Sequence, residues 1–111
     1  MGRRDYLKYK EHARALVKQR LAQYNQVYWF KINRVAIKNT KSRWGSASKK
    51  GNLNFNYRLV LLPQALADYV IVHELCHLGE FNHSKRFWGL VAQTIPNYIA
   101  MRKAFKSIRL P

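Results

Sequence analysis

His73-Glu74-Leu75-Cys76-His77, with His83 six residues further on, concentrates the reactive side chains of this chain. Residues four apart on an α-helix share a face, so His73 and His77 can approach one metal ion from consecutive turns. Glu74 lies about 100° around such a helix from His73 and about 60° from His77, within reach of a water beside that ion. His-Glu-x-x-His is the pattern of zinc hydrolases, with two imidazoles for the metal and a carboxylate as general base. A catalytic zinc takes three protein ligands and keeps a fourth position for water, whereas four protein ligands close the site.

The third ligand follows by exclusion. After His77 the chain offers one acidic residue, Glu80, and one histidine, His83. Glu80 could bind only if the helix ran undisturbed through Gly79, so His83 is the expected ligand. The His73-to-His83 spacing equals that of the metzincins. Their glycine would fall at Glu80, however, and no Met-turn sequence follows, so the spacing reads as a shared geometric solution. One Zn2+ ion on His73, His77 and His83, with Glu74 as acid/base, is the expected centre.

These residues need a helix and a wall to hold them. Apolar positions Ala13, Leu16, Val17 and Leu21 predict an amphipathic helix over about Tyr6–Tyr24, its other face basic. Val27, Trp29 and Ile32 lead into a short strand pattern at Val35-Ala36-Ile37. Strands at Arg43–Ser48 and Leu53–Tyr57, joined by Lys49-Lys50-Gly51-Asn52 with glycine at a positive-φ position, predict a β-hairpin over about 43–57. Pro63 suits a helix start, and the metal helix is expected over about 63–79, with Ile71, Leu75 and Leu78 buried behind the histidines and Gly79 ending it. Ser84 is the expected N-cap of a helix to Ile95. Pro96 breaks that helix, and a basic terminal helix completes the span of about 84–108. The fold class is α+β: a minimal zincin-like single domain over 1–111, with a small antiparallel sheet or β-hairpin packed on the active-site helix and flanking helices.

The chain's 111 residues suit one domain, and 48% hydrophobic residues are enough to build a core, which excludes a disordered chain. No apolar run approaches the roughly 18 residues a membrane span needs, and no signal-peptide h-region is expected. Cys76 is the one cysteine, so no internal disulfide is possible. A buried lone thiol fits a reducing, cytoplasmic setting. With 21 Lys and Arg against 5 Asp and Glu, the net charge of +16 favours polyanions. Nucleic acid is therefore a possible partner, although the basic residues are scattered and form no recognition motif.

Arg43-Trp44-Gly45-Ser46, Gly51-Asn52-Leu53-Asn54-Phe55-Asn56, the histidine motif and Asn82-His83-Ser84-Lys85-Arg86-Phe87-Trp88 together resemble the YgjP-like metallopeptidase-domain family. Its members are small bacterial and archaeal zincins, more distantly similar to the SprT-like and WLM proteases. The likeness spans roughly Tyr6 to Arg102. It implies zinc on His73, His77 and His83, Glu74 as catalytic acid/base, and a peptide or protein substrate. Members often carry a cysteine where this chain has Ala47, and many carry an N-terminal β-rich region, so the chain reads as a minimal or excised catalytic domain.

The expected reaction is peptide-bond hydrolysis by Glu74-assisted attack of zinc-bound water. Tyr57, Asn54, Asn56 and Arg43 are candidate oxyanion donors, and Trp44 and Phe55 candidate cleft residues. Three alternatives compete. A nucleotide phosphoanhydride hydrolase would suit the basic surface but lacks a phosphate-binding loop. A protease acting on DNA- or RNA-bound proteins would use the charge. A zinc-stabilised binding module would leave Glu74 without a role. A monomer is the expected state.

Overall fold

A computed structural model describes residues 3–108. The 1–111 domain span expected from sequence therefore extends, at residues 1–2 and 109–111, outside the described residues. Four helices surround a three-stranded sheet: α1 (Arg3–Tyr28), β1 (Arg34–Lys38), β2 (Gly45–Ala47), β3 (Asn52–Asn56), a 3-10 turn (Tyr57–Leu61), α2 (Gln64–Cys76), α3 (Lys85–Thr94) and α4 (Tyr98–Phe105). No described helix is long and apolar enough to cross a membrane.

Helix α1 is a turn longer at its C-terminal end than the expected Tyr6–Tyr24, because nothing between Asn25 and Tyr28 breaks it. Ala13, Val17 and Leu21, four apart, form its buried stripe. Burial of the last two contributes roughly 1.5–3 kcal/mol each. Tyr28, beyond the expected helix end, completes the helix, and its hydroxyl donates to the Leu90 carbonyl at 2.5 Å and meets Thr94 Oγ1 at 2.8 Å. Trp29 then turns the chain at φ 60°, a conformation that strains a bulky residue. The Asn25 side chain brackets the turn, accepting from Phe30 N–H at 2.9 Å and donating to Phe30 O at 2.8 Å.

The sheet order is β1-β3-β2. The expected hairpin is present: β2 pairs antiparallel with β3, Gly45 opposite Phe55 and Ala47 opposite Leu53. Gly51 takes φ 86° in its turn, as expected. The sheet as a whole is mixed and not antiparallel, because β1 runs parallel to β3, with Val35 opposite Leu53 and Ile37 opposite Phe55. Period-two alternation is the same for either strand direction, so the pattern alone could not distinguish them. Leu53 and Phe55 are fully buried on the helix side. Tyr57, expected at a strand end, opens the 3-10 turn.

Helix α2 begins after Pro63, which serves as its N-cap, and its α-helical hydrogen bonding ends at Cys76. Residues 77–79 continue as turns onto the carbonyls of Glu74, Leu75 and Cys76. Gly79 does not end the helix through positive φ. Its missing side chain leaves room for the Phe30 ring, whose atoms a Cβ would approach to 2.6 Å. Ser84 caps α3 as expected, its hydroxyl accepting from Phe87 N–H at 3.4 Å.

Asp68 ties α2 to α1. Its carboxylate accepts from Arg20 Nε at 3.0 Å and from the Tyr24 hydroxyl at 2.8 Å. Losing one partner of such a pair strands a charge away from water. Asp68→Ala should cost about 3 kcal/mol, read as a lower urea midpoint at unchanged slope.

Candidate metal centre

His73 sits in the last turn of α2, His77 caps the helix, and His83 comes from the loop before α3. The ligand-capable atoms of the three all lie within 4.8 Å of one another. His77 Nε2 and His83 Nε2 stand 3.1 Å apart. Tetrahedral ligands about 2.1 Å from one zinc stand about 3.4 Å from each other, so the donor set fits such an ion closely. Among the described residues this is the one His/Cys/Asp/Glu group so arranged.

The second nitrogen of two rings is already engaged. His77 Nδ1 lies 3.1 Å from the Glu80 carbonyl, which can only accept, so Nδ1 carries the proton and Nε2 keeps a free lone pair. His73 Nδ1 lies 3.3 Å from Glu74 Oε2, which leaves its Nε2 for a ligand role. Such contacts orient metal-binding imidazoles. Burial lowers the His77 pKa from its usual value, with repulsion from His73 adding to it. Burial lowers that of His83 as well, helped by repulsion from His73 and His77. Both shifts keep the rings neutral, as ligation requires.

The Phe87 ring forms a floor under the triad, with centroids 5.1 Å from His73, 4.4 Å from His77 and 5.1 Å from His83. Trp88 packs on His83 at 5.9 Å and stacks on Tyr98. Phe87 is wholly buried, and its ring packs against all three histidines. The sequence signal for that packing was its position in the first turn of a helix capped immediately after His83. Glu80 turns its carboxylate toward Arg86, 3.8 Å from Nε, and serves the centre through its backbone.

Glu74 is 8% exposed and lies against Gly45 of β2. His73, Glu74, Trp44, Gly45, Tyr69 and Phe105 line a cavity of about 190 Å3. Of the candidate substrate residues, the structure brings Trp44 to this cavity. Asn54, Asn56 and Arg43 line a separate one, and Tyr57 is fully buried, its hydroxyl without a partner among the described residues. Phe55 is core. Tyr69 was missed, although its position four residues before His73 placed it on the same helix face. Burial raises its phenol pKa, so it stays a donor. Cys76 is buried and its thiol is pushed up to about 12, which makes it unreactive.

The three histidines are positioned to hold a metal ion, and comparison with known proteins gives the class as metallopeptidase. The model of the YgjP-like metallopeptidase-domain family matches residues 5–108. The chain belongs to that family. The structure is similar to that of the metallopeptidase zymogen abylysin of Pyrococcus abyssi, with TM-score 0.72 and 24% identity over 84% of this chain and 96% of that one. It is also similar to the metallopeptidase zymogen jannalysin of Methanocaldococcus jannaschii, with TM-score 0.62 and 26% identity over 86% of this chain and 97% of that one. Among curated proteins none matches significantly.

Gly45 is required at the cavity because a Cβ there would meet Glu74 Cγ at 3.0 Å and the Asn54 carbonyl at 3.2 Å. Gly45→Ala should displace the Glu74 carboxylate and lower kcat about 10- to 100-fold. Metal content, measured by atomic absorption, should not change.

Proposed function

We propose that the chain is a zinc-dependent peptidase in which His73, His77 and His83 hold one ion and Glu74 is the acid/base. The convergence of three imidazole nitrogens beside a nearly buried carboxylate carries this reading. A zinc ion held there would supply a Lewis acid and lower the pKa of a water beside it. Glu74 takes the proton as that water attacks the peptide carbonyl and delivers it to the departing amine. Its contact with His73 Nδ1 and its wall at Gly45 limit the directions the carboxylate can take.

Strand β2 supports a peptide substrate. It pairs with β3 on one side and with no other described strand, so its second edge can accept an extended chain. Gly45 places that edge beside Glu74. Trp44, Tyr69 and Phe105 form an apolar wall against which a substrate side chain can pack.

Glu74→Gln should retain one equivalent of zinc and lose about 10²- to 10⁴-fold in peptide turnover. Hydrolysis at the wild-type rate would overturn the role of Glu74. Zinc content in His83→Ala should fall well below one equivalent, while Glu80→Ala should keep its metal. Equal metal loss in the two variants would reject His83 as the third ligand.

A further inference from the structure

On the face of the sheet opposite the metal helix lies a cavity of about 300 Å3, lined among others by Lys38, Thr40, Ser42, Arg43, Ser46 and Asn54. None of the chain's five acidic residues lines it. Neither Lys38 nor Arg43 has a carboxylate partner among the described residues.

The wall of this cavity is fixed from beneath. Asn56 and Arg58 are each 1% exposed. Asn56 Nδ2 donates to the Thr40 carbonyl at 2.6 Å and to the Arg43 carbonyl at 3.2 Å, and the Asn56 N–H donates to Trp44 O at 2.9 Å. Arg58 Nη1 donates to Thr40 O at 3.1 Å and to Asn56 Oδ1 at 3.3 Å. The guanidinium rests on the Tyr57 ring, 4.6 Å from its centroid, and Nε and Nη2 have no hydrogen-bond partner among the described residues. A buried cation with no counter-charge among the described residues thus lies directly behind Thr40 and Asn56, which themselves line the cavity. Its field is weakly screened there.

The cavity reaches the cleft through Gly45, which borders both. Side chains alternate along a strand. At Gly45 the side-chain direction points to Glu74, whereas Ser46 points to the other face, where its hydroxyl accepts from Asn54 Nδ2 at 3.2 Å. A peptide added at the free edge of β2 alternates in the same way. Resting on the peptidase reading above, we propose that this cavity is a specificity subsite for an acidic side chain of the substrate, at a position whose side chain faces away from the metal. Lys38 and Arg43 are its charged residues, Ser42, Ser46 and Asn54 its neutral donors, and Asn56 and Arg58 positioning residues that hold its loop in place before substrate arrives.

The test uses zinc-loaded protein and end-blocked hexapeptides that differ only by Glu, Gln or Lys at one position at a time. At one position kcat/KM should favour Glu by about tenfold, a preference that added salt reduces. Lys38→Gln/Arg43→Gln should level it, and Lys38→Glu/Arg43→Glu should invert it toward Lys. Lys18→Gln/Lys31→Gln, which removes the same charge from residues lining other cavities, should leave it intact. The affinities of the same peptides for Glu74→Gln, read by calorimetry, should show the same order. Cleavage without any preference for Glu overturns the subsite, as does a preference spread evenly over all positions or unmoved by Lys38→Gln/Arg43→Gln. Selective binding of the Glu peptides without cleavage by the wild type would instead keep the subsite and reject the peptidase reading. Neither binding nor cleavage of any peptide overturns both.

Discussion

Helix α2 and its C-cap carry two carboxylates and two imidazoles in a segment otherwise sealed from water, and the remaining structure depends on how those four polar groups are compensated. From Leu66 to Cys76 every residue except His73 is buried. Such a helix has no solvated face on which a charged or hydrogen-bonding side chain could rest, so each polar group needs a named partner. Asp68 finds Arg20 and Tyr24 of α1. Glu74 finds His73 Nδ1, and His77 finds the Glu80 carbonyl. His77 Nε2 and His83 Nε2 face each other at 3.1 Å, and with His73 they form a group that could hold a metal ion.

The other elements follow from sealing this helix. Helix α1 lies along it through the Asp68 tie. The sheet covers it with Leu53 and Phe55, and α3 closes its end with Phe87, a ring that at once fills the core and supports all three histidines. Two glycines mark the closest approaches. Gly45 lets β2 come up against Glu74, and Gly79 lets the ligand loop lie against Phe30. At neither position is a left-handed backbone the reason for glycine; the reason is the space a Cβ would fill.

Much of this was legible beforehand. The metal helix, the hairpin, the Gly51 turn and the Ser84 cap follow from local rules of period and capping, which depend on nearest neighbours along the chain. The parallel pairing of β1 was not legible, because it joins β1 to the far strand of the hairpin, across the intervening loop and β2. The substrate candidates also divided for a long-range reason. Trp44 lies on the metal side of the sheet, while Asn54 lies across it, a consequence of which face of the hairpin meets α2. Tyr69 and Phe105 join the cavity from α2 and from the far end of the chain.

The amino-acid sequence by itself determined the reactive inventory: which residues can hold a metal, which acid stands beside them, and that they occupy one helix and the loop after it. Helical geometry and the scarcity of acidic residues were sufficient for that. Only the tertiary structure decided what surrounds the inventory: the ring floor at Phe87, the cavity wall at Gly45, Tyr69 and Phe105, and the basic cavity held by Asn56 and Arg58. These depend on packing between segments distant in the chain. Packing is set by shape and by burial of the whole core, which no local spacing encodes.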